Sequence, residues 1–223
     1  MEEKYYKVLA EDGTPHHGGK GKWSLPTADG PGEWMPQIEK IEPCRSGYHV
    51  CREQDLIYWL GPAIFEVEIR GTTIVHEEAG SSKVVAAEAR LIRRLDTWND
   101  RTARLFAADC AEAVLPIFEK ERPNDDRPRK AIQAARDFAE GRTGAAAWAA
   151  ARDAARDAAG AAARDAAGDA AGDAARDAAR AAAWAAARAA AGDAAWAAAR
   201  AAARAAAGAA QTIRLFQYLR GEA

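Results

Sequence analysis

Residues 144 to 210 constrain the fold more than any other part of the chain, because they repeat every four residues. From Ala146 onward the third and fourth positions of each tetrad are Ala. The first holds only Gly, Trp or Arg, and the second only Ala or Asp. Each of those sets is one base change wide, so the tract reads as an expanded twelve-base repeat, and no single Trp or Arg in it asks for a private role. Ala is the strongest helix former, which makes the tract helical. Four residues advance about 400°, so the Ala stripe drifts about 40° per tetrad. Such a stripe cannot hold one seam as a heptad does. It suits helices that cross along their i±4 ridges or are contacted on several sides.

One straight helix over the tract would be about 100 Å long. Charge argues for folding back: residues 145–178 carry four Arg and six Asp, residues 179–210 four Arg and one Asp. The Gly168 to Asp173 stretch is the weakest helix. The favoured expectation is an antiparallel hairpin turning between about Gly160 and Asp177. Three or more shorter helices and one long helix are the alternatives.

The rest divides in two. Residues 1–95 read as a small β-rich domain, with strands over "KYYKVLA" (4–10) and "AIFEVEIRGTTIV" (63–75), both rich in β-branched and aromatic residues. Gly71 suggests a turn or bulge, and "REQDLIYWLG" (52–61) a short helix. The stretch "KVVAAEARLIRRL" (83–95) is ambiguous and could begin as a strand. The Gly- and Pro-dense "EDGTPHHGGKGKWSLPTADGPGEWMP" reads as loop. Residues 96–223 read as an Ala-rich helical domain. Thr97 is a candidate cap for a helix that Pro116 would kink, and Asp125 or Asp126 a cap for a second helix that Gly141 stops. "TIRLFQYLRGEA" is an apolar end that should dock on the remainder. The fold class expected is therefore α+β, a β-rich domain followed by an all-α bundle.

A net charge of −2 over 223 residues offers no basic field for nucleic acid or anionic membrane. Mimicry of nucleic acid by the Asp-bearing arm is a weaker idea, opposed by the interleaved Arg. Three cysteines do not make a disulfide scaffold. The charged start "MEEKYYKVLAEDG" does not read as a secretory leader, and recurring Arg and Asp make the tract unsuitable as a membrane span. The expected compartment is a reducing cytoplasm.

"CRSGYHVC" (44–51) is the densest chemical cluster. If Tyr48 to Cys51 is extended, His49 and Cys51 share a face. With Cys44, and His16 or His17, they could hold zinc, but the spacing fits no strong zinc pattern. A packed structural cluster is favoured, with a ligand-binding role for His49 second. "HHGGKGK" lacks a phosphate-loop pattern and reads as a solvated loop. Trp23 and Trp34 flank the Pro/Gly loop and could form an exposed aromatic patch of the kind that anchors partners, although packing under the loop competes. "DDRPR" (125–129) is best read as a helix start, with Arg127 and Arg129 as candidate partner contacts. No nucleophile–base pair, paired carboxylates or cofactor motif stands out. The candidate binding residues are thus Trp23, Trp34, Tyr48, His49, Arg127 and Arg129, with no catalytic residue, metal or cofactor assigned.

Residues 104–158, with Asp109-Cys110-Ala111 and Asp125 to Arg129 as their most specific steps, together with "TIRLFQYLRG", resemble bacterial and phage immunity proteins of the immunity-five-like group. The N-terminal part is similar to a phage and bacterial domain with a C-x-x-G-F-H-x-C signature, here Cys44, Gly47, Tyr48 in place of Phe, His49 and Cys51. The resemblance implies a non-enzymatic binder that neutralises a protein partner, either a toxin or a host factor. The alternative is an enzyme or nucleotide-binding module in the N-terminal domain, with the helices as scaffold or oligomerisation platform. A homo-oligomer is compatible with either.

Overall fold

The computed structural model describes residues 3–78, 81–147, 149–151, 153–154 and 208–223. Most of the tetrad tract, and with it the expected hairpin, lies outside the described residues. The chain divides into two compact units, residues 1–102 with 208–223, and residues 103–207.

The first unit is built on four antiparallel strands: β1 (Tyr5–Leu9), β2 (Tyr48–Arg52), β3 (Ala63–Glu78) and β4 (Ser81–Arg94). They close into a barrel in the order β1-β2-β4-β3. A 3-10 helix, Glu53–Tyr58, stands where the short helix is expected. β4 is a strand throughout, although Ala86, Ala87, Glu88 and Ala89 are helix-favouring residues. It hydrogen-bonds to β3 on one side and to β2 on the other, and pairing on both edges overrides local propensity. Gly71 has φ +76 and sits at a register shift in which Arg70 pairs with Glu88 but Thr73 with Ala86. The bulge read from the sequence is there.

Leu9, Trp23, Val50, Ala63, Phe65, Val67, Val84, Ala89 and Leu91 form one core cluster. The long loop after β1 is ordered by this core. Its amides at Gly32, Met35 and Ile38 donate to the carbonyls of Leu91, Ala89 and Ala87. The loop therefore covers the edge of β4 beyond the end of β2, where backbone groups would otherwise lack partners. Buried Asp55 reaches from the 3-10 helix to accept the amide and hydroxyl of Ser82, both at 2.7 Å, tying it to the start of β4.

The C-terminal residues 208–220 are helical and belong to this unit. Leu215, Phe216, Tyr218 and Leu219 are buried. Phe216 packs edge-on against Tyr6 at 5.4 Å between ring centres, and the Thr97 hydroxyl donates to the Leu219 carbonyl. The apolar tail docks as its composition predicts, on the barrel. Thr97 is thus not a helix cap. Asn99 takes that role, its Oδ1 accepting the amides of Arg101 and Thr102 while its own amide donates to the Thr102 hydroxyl.

Helix α1 (Asp100–Glu121) runs into the second unit, where α2 (Arg127–Ala139) follows a short turn. Ala108, Leu115 and Ile132 are buried together, with Ala135 against them. Arg136 of α2 pairs with Asp109 and Glu112, three apart on one face of α1. Pro116 lies inside α1, which continues as helix through it. At the start of α2 the Asp125 carboxylate accepts the Arg127 amide, and Pro128 stands in the first turn. Gly141, at φ +72, follows the last turn, as a helix stop should. The architecture is α+β, a four-stranded antiparallel barrel followed by helices.

Candidate functional site

The Cys44 to Cys51 segment folds into a small self-bonded loop. Cys44 has a left-handed φ of +66, unusual for a residue with a side chain. Its amide donates to His49 Nε2 at 2.9 Å, and His49 Nδ1 donates to the Gly47 carbonyl at 3.1 Å. A backbone amide can only donate, so Nε2 carries the lone pair and the ring is neutral. Burial, then the charge of Lys7, holds the His49 pKa below its ordinary value. Gly47, at φ +120, is required because a Cβ there would meet Val85 Cγ1 at 2.4 Å. Cys44 Sγ stands 4.0 Å from His76 Nε2.

Cys51 turns away from this loop. Its thiol is buried and donates to the Tyr6 carbonyl at 3.6 Å, and burial pushes its pKa up to about 12. The zinc set considered for this segment does not assemble: among the described residues no three His, Cys, Asp or Glu side chains are placed to hold a metal ion. Thiol reactivity should follow from these positions. Cys44 is exposed and is expected to react with a chromogenic disulfide in the native protein, whereas Cys51 should react only as the protein unfolds. Peptide mapping that found Cys51 labelled as early as Cys44 would contradict the placement.

Lys7 is the residue that the sequence reading passed over. Its signal was the alternation of Tyr5, Lys7 and Leu9, which puts a cation in line with two inward side chains. Lys7 Nζ donates to the His49 carbonyl at 2.8 Å and lies 5.4 Å from the Trp23 ring centre. Burial lowers its pKa from 10.5 to about 8. Below pH 8 both folded and unfolded chains hold this proton. Above it the folded chain releases the proton first, so stability should rise with pH from about 8. From about 9 the Cys51 thiol, protonated when folded and ionising when unfolded, opposes that rise. Denaturant melts at pH 7.5 to 9 should show the rise, and Lys7→Met should flatten it. An unchanged slope in Lys7→Met would place the proton elsewhere.

The two loop tryptophans have separate places and do not form one exposed patch. Trp23 is 5% exposed and edge-on to Tyr48 at 5.4 Å. Tyr48 in turn donates its hydroxyl to the Pro36 carbonyl. Trp34 is half-buried, with the guanidinium carbons of Arg70 and Arg90 at 4.0 and 4.8 Å from its ring centre. Those arginines pair with Glu88 and Glu68. Tyr48, His49, Lys7 and Trp23 are thus brought together, and Trp34 is held apart on a charged lattice of β3 and β4.

Arg127 and Arg129 lie in the second unit. Arg127 is held by the Asp125 carboxylate through Nε at 2.8 Å and Nη2 at 2.5 Å. Arg129 pairs with Glu119 on α1 at 2.6 Å. Both use their forks to lock the α1–α2 turn. On the same helix Val114 and Ile117 are 48% and 71% exposed.

No curated protein matches the chain, and no solved structure does. The model of one family, described as "Imm-5 like putative immunity protein", matches residues 93–214. The match begins at the end of β4, takes in α1 and α2, and reaches the tail helix. Trp23, Trp34, Tyr48 and His49 lie outside it, while Arg127 and Arg129 lie within. Because the match takes in more than half of the chain, this protein belongs to the Imm-5 like immunity protein family.

Proposed function

We propose that the protein is a non-enzymatic immunity factor that binds and neutralises a protein partner, a toxin or a host factor, in the cytoplasm. Family membership over residues 93–214 carries this reading. The chemistry of the barrel agrees with it. Both nitrogens of His49 are engaged by backbone groups, and the Cys51 thiol is buried and kept protonated. His49 holds a loop in shape, and Cys51 is packed against β1.

The contact surface we assign is the α1 face that bears Val114 and Ile117. It lies within the matched residues and offers apolar area that a partner would remove from water. Arg127 and Arg129, in the first turn of α2, are held by Asp125 and Glu119 and serve to fix the helix pair behind this face. Co-expression with each gene product encoded beside this chain tests the reading. One of them should be toxic alone, harmless in the presence of this protein, and recovered with it in fixed stoichiometry. Ile117→Asp should abolish protection while leaving the melting temperature unchanged. Protection that survives Ile117→Asp would move the contact surface, and neighbours that are all harmless or equally toxic would overturn the function.

A further inference from the structure

β3 is sixteen residues long, but β1 pairs only with its first part, Ala63 to Val67. On the side away from β4, no strand among the described residues pairs with β3 beyond Val67. Gly71, Thr72, Thr73, Val75 and Glu77 are exposed there. Thr72 to Val75 are four consecutive β-branched, uncharged residues with no Pro or Lys. A bare edge of this composition is a template for a further strand.

We propose that two copies of the chain pair antiparallel along this edge, with Ile74 of one opposite Ile74 of the other on a twofold axis. This inference is independent of the immunity reading. Charge selects the register. A twofold axis perpendicular to the sheet requires one residue to face its own copy. With Ile74 on the axis, Thr73 faces Val75, a β-branched cross-strand pair. The bulge at Gly71 then matters. Three steps along β3, from Arg70 to Thr73, span only two along β4, from Glu88 to Ala86. One residue is absorbed, and Arg70 falls opposite Glu77 of the other copy. With Thr73 on the axis Arg70 loses this partner, and with Val75 on the axis Thr73 faces Glu77. Only the Ile74 register sets β-branched side chains together and opposite charges at both ends.

The edge is short, so association is weak and concentration-dependent. Sedimentation velocity on the full chain over a hundredfold concentration range should show monomer passing to dimer. Ile74→Lys places two like charges opposite each other and should leave only monomer. If circular dichroism shows that variant to be unfolded, Val75→Lys, at an exposed position, serves instead: its copies lie diagonally across the axis, away from Glu77, and a lysine on the edge should weaken the dimer. Glu77→Arg should weaken the dimer about tenfold by setting like charges at both ends. Ile74→Cys under mild oxidation should give a disulfide joining position 74 of the two copies, since directly opposed residues have Cα atoms about 4.5–5.5 Å apart. A monomer at every concentration overturns the proposal. So does a dimer indifferent to the lysine variants, or one crosslinked only through Cys44.

Discussion

Leu215→Ala is expected to lower the stability of the barrel unit by about 2–5 kcal/mol, although the residue lies more than a hundred positions from the last strand. Leu215 is fully buried on the helix whose Phe216 meets Tyr6. Removing its side chain leaves a cavity that the docked helix cannot close without giving up that ring contact. Ile213, on the same helix but 64% exposed, is the control, and Ile213→Ala should shift stability by less than about 0.5 kcal/mol. Urea melts followed by the fluorescence of the buried tryptophans measure both. Equal effects from the two substitutions would mean that the tail does not belong to the cooperative unit.

The second large effect is expected at Gly32. A Cβ at this position would stand 2.0 Å from the carbonyl oxygen of Ser24 and 2.9 Å from its carbon. Both are backbone atoms, so no rotamer change relieves the overlap. Gly32→Ala should therefore push the loop off β4 and destabilise the protein by about 3 kcal/mol. The damage should be local before it is global. Amides of Met35 and Ile38, which donate to Ala89 and Ala87, should lose hydrogen-exchange protection, and Trp23 emission should shift to the red as water reaches the core. Protection unchanged at both amides would show that the loop tolerates the methyl group.

These two residues also show where the sequence was legible. β1, the first part of β3, the bulge at Gly71, the cap region around Asp125 and the stop at Gly141 all carry local signals, period-two alternation or a residue with one conformational use. The tail's burial was legible because its apolar side chains leave no other stable arrangement. β4 was half legible, because its Ala and Glu say helix locally while its strand state comes from two flanking partners. The loop over residues 11–36 was readable only as loop. What makes it structure is long-range: two hydrogen bonds to β4 from Gly32 and Met35, a third just beyond at Ile38, and a tryptophan delivered to the core. For the same reason Trp23 and Trp34 looked alike in sequence and differ in place, one among aliphatic side chains and the other between two guanidinium groups. His49 and Tyr48 were identified as a cluster, but that His49 accepts the Cys44 amide depends on a left-handed turn at Cys44 that no sequence pattern announces.

The docking of residues 208–220 onto the barrel also bears on how the protein is made. A ribosome delivers β1 to β4 more than a hundred residues before the tail helix that covers them. During that interval Tyr6 and its neighbours face water with their cover still untranslated. The barrel therefore cannot reach its final stability until residues 208–220 have been made. A messenger truncated anywhere in the Ala-coding repeat yields a chain whose first unit lacks its cover.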